Sequence, residues 1–384
     1  MTGVGASLIA PFLSLYVDTL GHYSKSELNI WSGTIYASTF LMTALISPFW
    51  GKLADQKGRK LMLLRASLGM GISIFLMGFA TTAWHLLVFR LLLGTFSGFI
   101  SNAIALMATS TPQEKSGQVL STLTTGWVSG ALLGPVIGGI VVAHTGYRTV
   151  FFITGMIMVL VFVLTKIMVT ETFTPVPAGK MMSFSEVRHS IKSPFFIVGL
   201  LFTTMIVQIT NQSISPILSL YVRELMNHAG NITFVSGLVA SAPGITNLLV
   251  APYFGRLGDK IGQKKVLLTG LVASFIFFVL MGFTQNIYQV ITLRLCIGLS
   301  DAAILPSVLA LLSKNIQSEI KGRVFSYNQS AQSLGAVTGP LIGSSVATVL
   351  DYIYVFLVSS LFIVMNIINN AINERRLKMN EGKI

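Results

Sequence analysis

The sequence predicts an all-α membrane protein whose twelve transmembrane helices form two parallel six-helix repeats. Three observations predict it: a charge-poor composition, apolar blocks of spanning length, and a constant offset between the halves of the chain. Of 384 residues, 53% are hydrophobic and 10% charged, against about 25% charged in a soluble domain. Apolar blocks of roughly 20 residues recur, the length that crosses a hydrocarbon core about 30 Å thick. They fall at 1–17, 29–50, 61–82, 86–108, 118–143, 148–168, 194–220, 232–254, 266–283, 287–312, 326–348 and 352–371. Helix is the expected element because backbone groups in lipid must be satisfied within the segment, and a barrel would show short alternating strands.

The net charge of +13 is a topology signal, not a nucleic-acid signal. With helices alternating in direction, 21 of the 26 basic residues fall on one side. The other side holds Lys25, Arg148 and Arg223, while Arg90 and Arg294 lie within spans. Basic residues collect on the cytoplasmic side, so both termini are expected in the cytoplasm of a multi-pass protein of the cell (plasma or inner) membrane. The N-terminus lacks the basic region and small-residue cleavage site of a signal peptide. Residues 170–193 are polar, carry Pro175 and Pro177, and read as a cytoplasmic linker. The expected layout is a first half at 1–169, that linker, a second half at 194–373 and a basic cytoplasmic tail at 374–384.

The repeat is read from exact matches. Pro11-Phe-Leu-Ser-Leu-Tyr-Val17 corresponds to Pro216-Ile-Leu-Ser-Leu-Tyr-Val222 at an offset of 205. Pro48, Gly51, Asp55 and Gly58 correspond to Pro252, Gly255, Asp259 and Gly262 at 204, as do Arg90 and Gly94 to Arg294 and Gly298. Gly130, Gly134 and Pro135 return as Gly335, Gly339 and Pro340 at 205. Six helices are thus copied in the same orientation, an arrangement of transporters that bind substrate between two halves near the midplane. Some ten apolar residues from Pro194 have counterparts that would precede Met1. The first helix is therefore expected to be truncated, or else short and tilted.

Enzyme chemistry finds no footing here. Cys296 is the single cysteine, so no disulfide framework or thiolate cluster exists within one chain. The five histidines are not spaced as metal ligands, and there is no nucleophile elbow, P-loop or dinucleotide fingerprint. The expectation is no catalytic residue, no metal and no cofactor.

Between the second and third spans, Gly51-Lys-Leu-Ala-Asp55-Gln-Lys-Gly58-Arg59-Lys60 resembles the signature loop of the major facilitator superfamily. Gly255-Arg-Leu-Gly-Asp259-Lys-Ile-Gly262-Gln263-Lys264 is its second copy. Gly130-Ala-Leu-Leu-Gly134-Pro135-Val-Ile-Gly138-Gly139 resembles the antiporter motif of the drug:proton exporters in that superfamily. Ser121 stands where that motif has a further glycine. The resemblance covers the whole chain and implies the major facilitator fold. It also implies a cytoplasmic latch at Gly51, Asp55, Gly58, Arg59 and Asp259, and a hinge at Gly130, Gly134, Pro135, Gly138 and Gly139. Read without the resemblance, the loop charges enforce topology, and glycines four apart make a flat face for close helix approach. Pro135 removes one backbone hydrogen bond and permits a bend.

Arg90, Arg294 and Asp301 are the charges placed inside spans. An aspartate at a helix centre costs roughly 2.5–3.5 kcal/mol on insertion scales, so it is kept for a partner or a function. Asp301 lies about 21 Å along its helix, and Arg294 is two turns earlier on the same face. Desolvation and a neighbouring cation act oppositely on a carboxyl, so arriving substrate can tip the balance. Asp301 is the expected proton-coupling site, against a structural pair with Arg294 or a cap near Pro306. Arg90 and Arg294 join it as candidates; the resemblance links a motif arginine of the fourth helix to proton transfer.

Gln208 and Asn211 in the seventh span, Asn328 and Gln332 in the eleventh, Asn102 and Trp127 are candidates for a substrate pocket, since polar groups in spans face protein or water. The same groups also serve as helix–helix glue. The expected activity is proton-coupled antiport of lipophilic or cationic drugs by a monomer working by alternating access. Its partners are a small-molecule substrate, protons and the lipid bilayer, with no nucleic acid. The alternatives are a facilitator-type carrier of a metabolite or lipid, and a non-transporting membrane receptor.

Overall fold

This is a computed structural model, and it describes residues 1–111, 113–171, 194–316 and 321–381. The side chains of residues 55, 108–110, 113–118, 120, 121, 321, 322 and 374–381 stand outside that description. The expected linker beyond residue 171 and the side chains of the basic tail therefore lie outside the described residues.

The apolar blocks fold as helices, which close their backbone hydrogen bonds without water. In chain order they are α1, in pieces Thr2–Ser7, a 3-10 turn Ala10–Phe12 and Leu13–Asp18; α2, Lys25–Lys57; and α3, Arg59–Met77. Then come α4, in pieces Ala83–Phe96 (α4a) and Phe99–Ser110 (α4b); α5, Gln113–Thr145; and α6, Tyr147–Met168. The second copy comprises α7, in pieces Pro194–Ile214 (α7a) and Leu218–Leu225 (α7b); α8, Ile232–Ile261; α9, Gln263–Met281; α10, Ile287–Lys314; α11, Lys321–Val349; and α12, Tyr352–Glu381. Among the described residues, ten of these twelve are long and apolar enough to cross a membrane by composition alone; the others are the short α1 and α11, the latter carrying Asn328, Gln329, Ser330, Gln332 and Ser333.

Three columns predicted as continuous are broken. In α1 and α7 the repeated prolines, Pro11 and Pro216, lie at the interruptions, where a missing N–H and a ring clash with the preceding turn end regular helix. The break in α4 has another cause. Ser97 is extended and Gly98 takes φ +107°, a left-handed geometry open to glycine and strained for other residues. Gly58 (φ +92°) and Gly262 (φ +99°) make the tight α2–α3 and α8–α9 turns in the same way. α2 starts earlier than hydropathy predicts because Ser24 and Glu27 form a capping box before it.

By packing, the chain divides into two compact units, residues 1–179 with 215–241, and 180–214 with 242–384. In the first, α3 packs on α6, α2 on α4a, and α1 on α5; in the second, α7a packs on α11 and α12, and α9 on α10 and α12. The glycine rows explain the closeness. A Cβ at Gly130, Gly134 or Gly138 would strike α1 at Val4, Ser7 or the Leu8 carbonyl. At Gly335, Gly339 or Gly343 it would strike α7a at Met205, Ile209 or Ser213. Large apolar side chains on the outside, such as Ile167 (73% exposed) and Leu249 (74%), are faces for lipid, being too many for a water-facing surface.

Candidate functional site

The most concentrated chemistry lies in α10 of the second unit. Asp301 and Arg294 are each only 8% exposed, two turns apart on one helix face. α7a brings Asn211 to the same place, and its Nδ2 donates to Asp301 Oδ2 at 3.0 Å. Gly298 lets α8 approach, since a Cβ there would strike the Pro243 carbonyl. A buried carboxylate is tolerable only with such donors and a nearby cation. The cluster holds a carboxylate away from bulk water with one amide donor and one cation on its face.

The repeat-related place in α4 is built differently. The Arg90 guanidinium lies 5.6 Å from the centre of the Tyr36 ring, and the Tyr36 hydroxyl donates to the Ala10 carbonyl at the break in α1. At the break in α4, the Arg65 guanidinium of α3 lies over Trp50, 3.8 Å from the ring centre, and Nη2 donates to the Ser97 carbonyl at 2.9 Å. A cation thus meets the negative end of α4a. Asn102 Nδ2 donates to the Gly98 carbonyl at 2.8 Å, and Thr43 Oγ1 lies 2.7 Å from Ser97 Oγ.

The other pocket candidates are scattered among these tasks. Asn328 is buried, its Oδ1 accepting from Thr204 Oγ1 at 2.8 Å in the α7a–α11 seam. Gln208 is half-buried beside Gly335 in the same seam, and Gln332 is half-buried on α11. Trp127 is half-buried on α5, its carbonyl against Gly3.

Around the signature loop, Gly51 has open space where a Cβ would stand, and Gly58 makes the turn. The Asp55 side chain lies outside the described residues. The Glu171 carboxylate accepts from the backbone N–H of Arg59 at 2.8 Å and of Lys60 at 2.7 Å, capping α3. In the second copy Asp259 accepts from Gln263 Nε2 at 3.2 Å and pairs with Lys314 Nζ at 3.3 Å. Of the antiporter motif, Gly139 and Pro135 face α8: a Cβ at Gly139 would strike Thr233, and one at Gly237 the Pro135 carbonyl.

Sequence reasoning passed over several residues. Arg65, six residues beyond Arg59 of the signature loop, reads as topology charge. Glu171 was visible as an acid just past α6, opposite the basic loop. Asp18 and Arg223 occupy equivalent positions of the two repeats at an offset of 205 and pair with each other at 2.5 Å. Beside them Ser14 Oγ donates to the Pro216 carbonyl at 2.5 Å, and Lys25 pairs with Glu224 at 2.9 Å.

Twelve helical columns in two copies, with charges kept inside, define a multi-pass membrane carrier. The family model of the Major Facilitator Superfamily matches residues 1–235 and 200–375, and the chain belongs to that superfamily. It is 49% identical over 378 residues to the multidrug resistance protein MdtG of Escherichia fergusonii, covering 98% of this chain and 93% of that one. It is 48% identical over 376 residues to MdtG of Klebsiella pneumoniae, covering 98% and 91%. Among solved structures, an inward-facing bacterial homolog of the human lysosomal transporter Spinster superposes with a TM-score of 0.80 at 13% identity, over 97% of this chain and 94% of that one. A mutant of the nucleoside transporter NupG does so at 0.75 and 14%, over 97% and 96%. At such identities these two likenesses show the fold alone.

Proposed function

We propose that the chain is a proton-coupled secondary exporter of lipophilic, often cationic drugs, working by alternating access in the cell membrane with both termini in the cytoplasm. The observation that carries this reading is a buried carboxylate, Asp301 with Arg294 and Asn211, in a chain about half identical over nearly its full length to proteins named for multidrug resistance. A carboxylate that holds a proton in one half of the cycle and is charged in the other gives an exporter its exchange step. A cationic drug favours the charged form, a proton removes it, and the two compete for one group.

The remaining residues take supporting roles in this reading. Arg294 keeps the charged form of Asp301 tolerable, and Arg90 provides the corresponding cation in the first copy. Gly51, Asp55, Gly58 and Arg59 in the first signature loop, and Asp259 in the second, are the candidate latch residues. The row Gly130, Gly134, Gly138 and Gly139 with Pro135 lets α5 move against α1 and α8. Asn102 and Trp127 in the first unit, and Gln208 and Gln332 in the second, are the candidate drug-contacting residues of a single carrier molecule. The test is dye efflux from energised cells with and without an uncoupler. Wild type loses efflux with the uncoupler, and Asp301→Asn at equal expression lacks the uncoupler-sensitive part. Full proton-driven efflux by Asp301→Asn would remove Asp301 from the mechanism.

A further inference from the structure

Helix α7 belongs to both compact units. Through Ile214 it packs in the second, and from Ser215 onward it packs in the first. The junction coincides with the break between α7a and α7b, where Pro216 interrupts the hydrogen-bond ladder. Asn211, the donor to Asp301, stands three residues before the end of α7a. Within the break, the Pro216 carbonyl accepts from Ser14, and one turn into α7b Arg223 pairs with Asp18. One short stretch of chain, 211–223, therefore carries a bond to the buried carboxylate at one end and the bonds that join α7b to α1 at the other.

We propose that Asn211 is a positioning residue that ties the end of α7a to Asp301, so that protonation of Asp301 is passed through the break at Pro216 to α7b and its seal with α1. This gives Asn211 a task different from lining a drug path, and it rests on the reading of Asp301 as the proton site. The bond from Asn211 to a charged carboxylate is about twice as strong as one to a neutral acid. When a proton adds to a carboxylate oxygen, no other covalent bond changes, but the tie on α7a weakens. The amide must also turn if it is to accept from the new O–H. Among the described residues the charged group facing Asp301 is Arg294, on its own helix. The helices against α10 are α7a, α8, α9 and α11, and they bring Asn211 as the other polar partner. Lys264 at the start of α9 lies instead over Phe196, and Asp259 near the end of α8 pairs with Lys314.

The test reads the seal directly. Ser219 in α7b is fully buried and has no hydrogen-bond partner among the described residues. In a Cys296→Ser background, Ser219→Cys is labelled with a membrane-impermeant maleimide on intact cells at pH 6 and pH 8, normalised to denatured protein at the same pH. The expected result is a labelling rate that differs at least threefold between the two pH values. Asp301→Asn and Asn211→Leu each flatten it, while Asn211→Gln, which keeps an amide donor, retains a response. If Asp301→Asn flattens the response and both Asn211 variants keep it, the proposal is overturned and the proton site stands. If Asp301→Asn keeps it, the proton site falls and the proposal with it. A parent whose labelling ignores pH overturns the link between protonation and seal, whatever efflux shows. Should Asn211→Leu fail to reach the membrane, Asn211→Ala gives the same reading.

Discussion

The fourth helix of each copy, α4 and α10, starts from one template and ends as two different machines. The offset of 204 sets Arg90 against Arg294, Gly94 against Gly298, Ser97 against Asp301 and Gly98 against Ala302. In α4 the arginine faces the Tyr36 ring and the helix breaks at Gly98. In α10 the helix runs unbroken through Asp301, and the arginine has a carboxylate on its own face. Arg65, which fills the break in α4, is Thr269 in the second copy, and Tyr36 is Ala240. One copy keeps a cation against an aromatic ring and spends a second on a broken backbone, while the other keeps cation and anion together. The scaffold is duplicated and the charge chemistry is not.

That contrast breaks first at its largest expected effect. Asp301→Asn abolishes uncoupler-sensitive efflux, whereas Ser97→Ala leaves it near wild type. Equal losses in the dye assay would mean the two positions are functionally alike. Next in size is stability. Arg294→Gln strands a buried carboxylate and lowers stability by about 3–5 kcal/mol. Arg90→Gln removes a cation–aromatic contact and costs about 1 kcal/mol. Thermal unfolding of the detergent-solubilised protein ranks the two. Smaller again is the backbone difference. Gly98→Ala meets a left-handed φ and costs about 1–2 kcal/mol, against about 1 kcal/mol for Ala302→Gly inside a continuous helix. The smallest is Lys25→Ala, which releases an exposed pair with Glu224 and shifts the unfolding free energy by no more than about 0.5 kcal/mol.

The duplicated scaffold is legible in the sequence because lipid imposes length and apolarity on every span, and because prolines and glycines keep register across the copies. Asp301 is legible for a related reason: a charge inside a span is too costly to be incidental. The breaks are not legible in the same way. Gly98 lies in a run where any glycine reads as a packing residue, and the break there is held by Arg65, which tertiary packing brings, beside the local bond from Asn102. The bond from Asn211 joins residues 90 positions apart, and nothing in either local pattern announces it. Glu171 caps α3 from more than a hundred residues away, so hydropathy, which reads one segment at a time, passes over it.

The contact between Asp18 and Arg223 bears on the ancestry of the chain. Positions equivalent in two copies that touch each other would, in an association of identical subunits, present the same side chain twice. Two aspartates or two arginines would repel there, and only a neutral or self-complementary residue could persist. An opposite pair at 18 and 223 becomes available once the copies are joined and each can mutate alone. The Asp18–Arg223 pair thus stands at a position where the two copies have diverged to opposite charges.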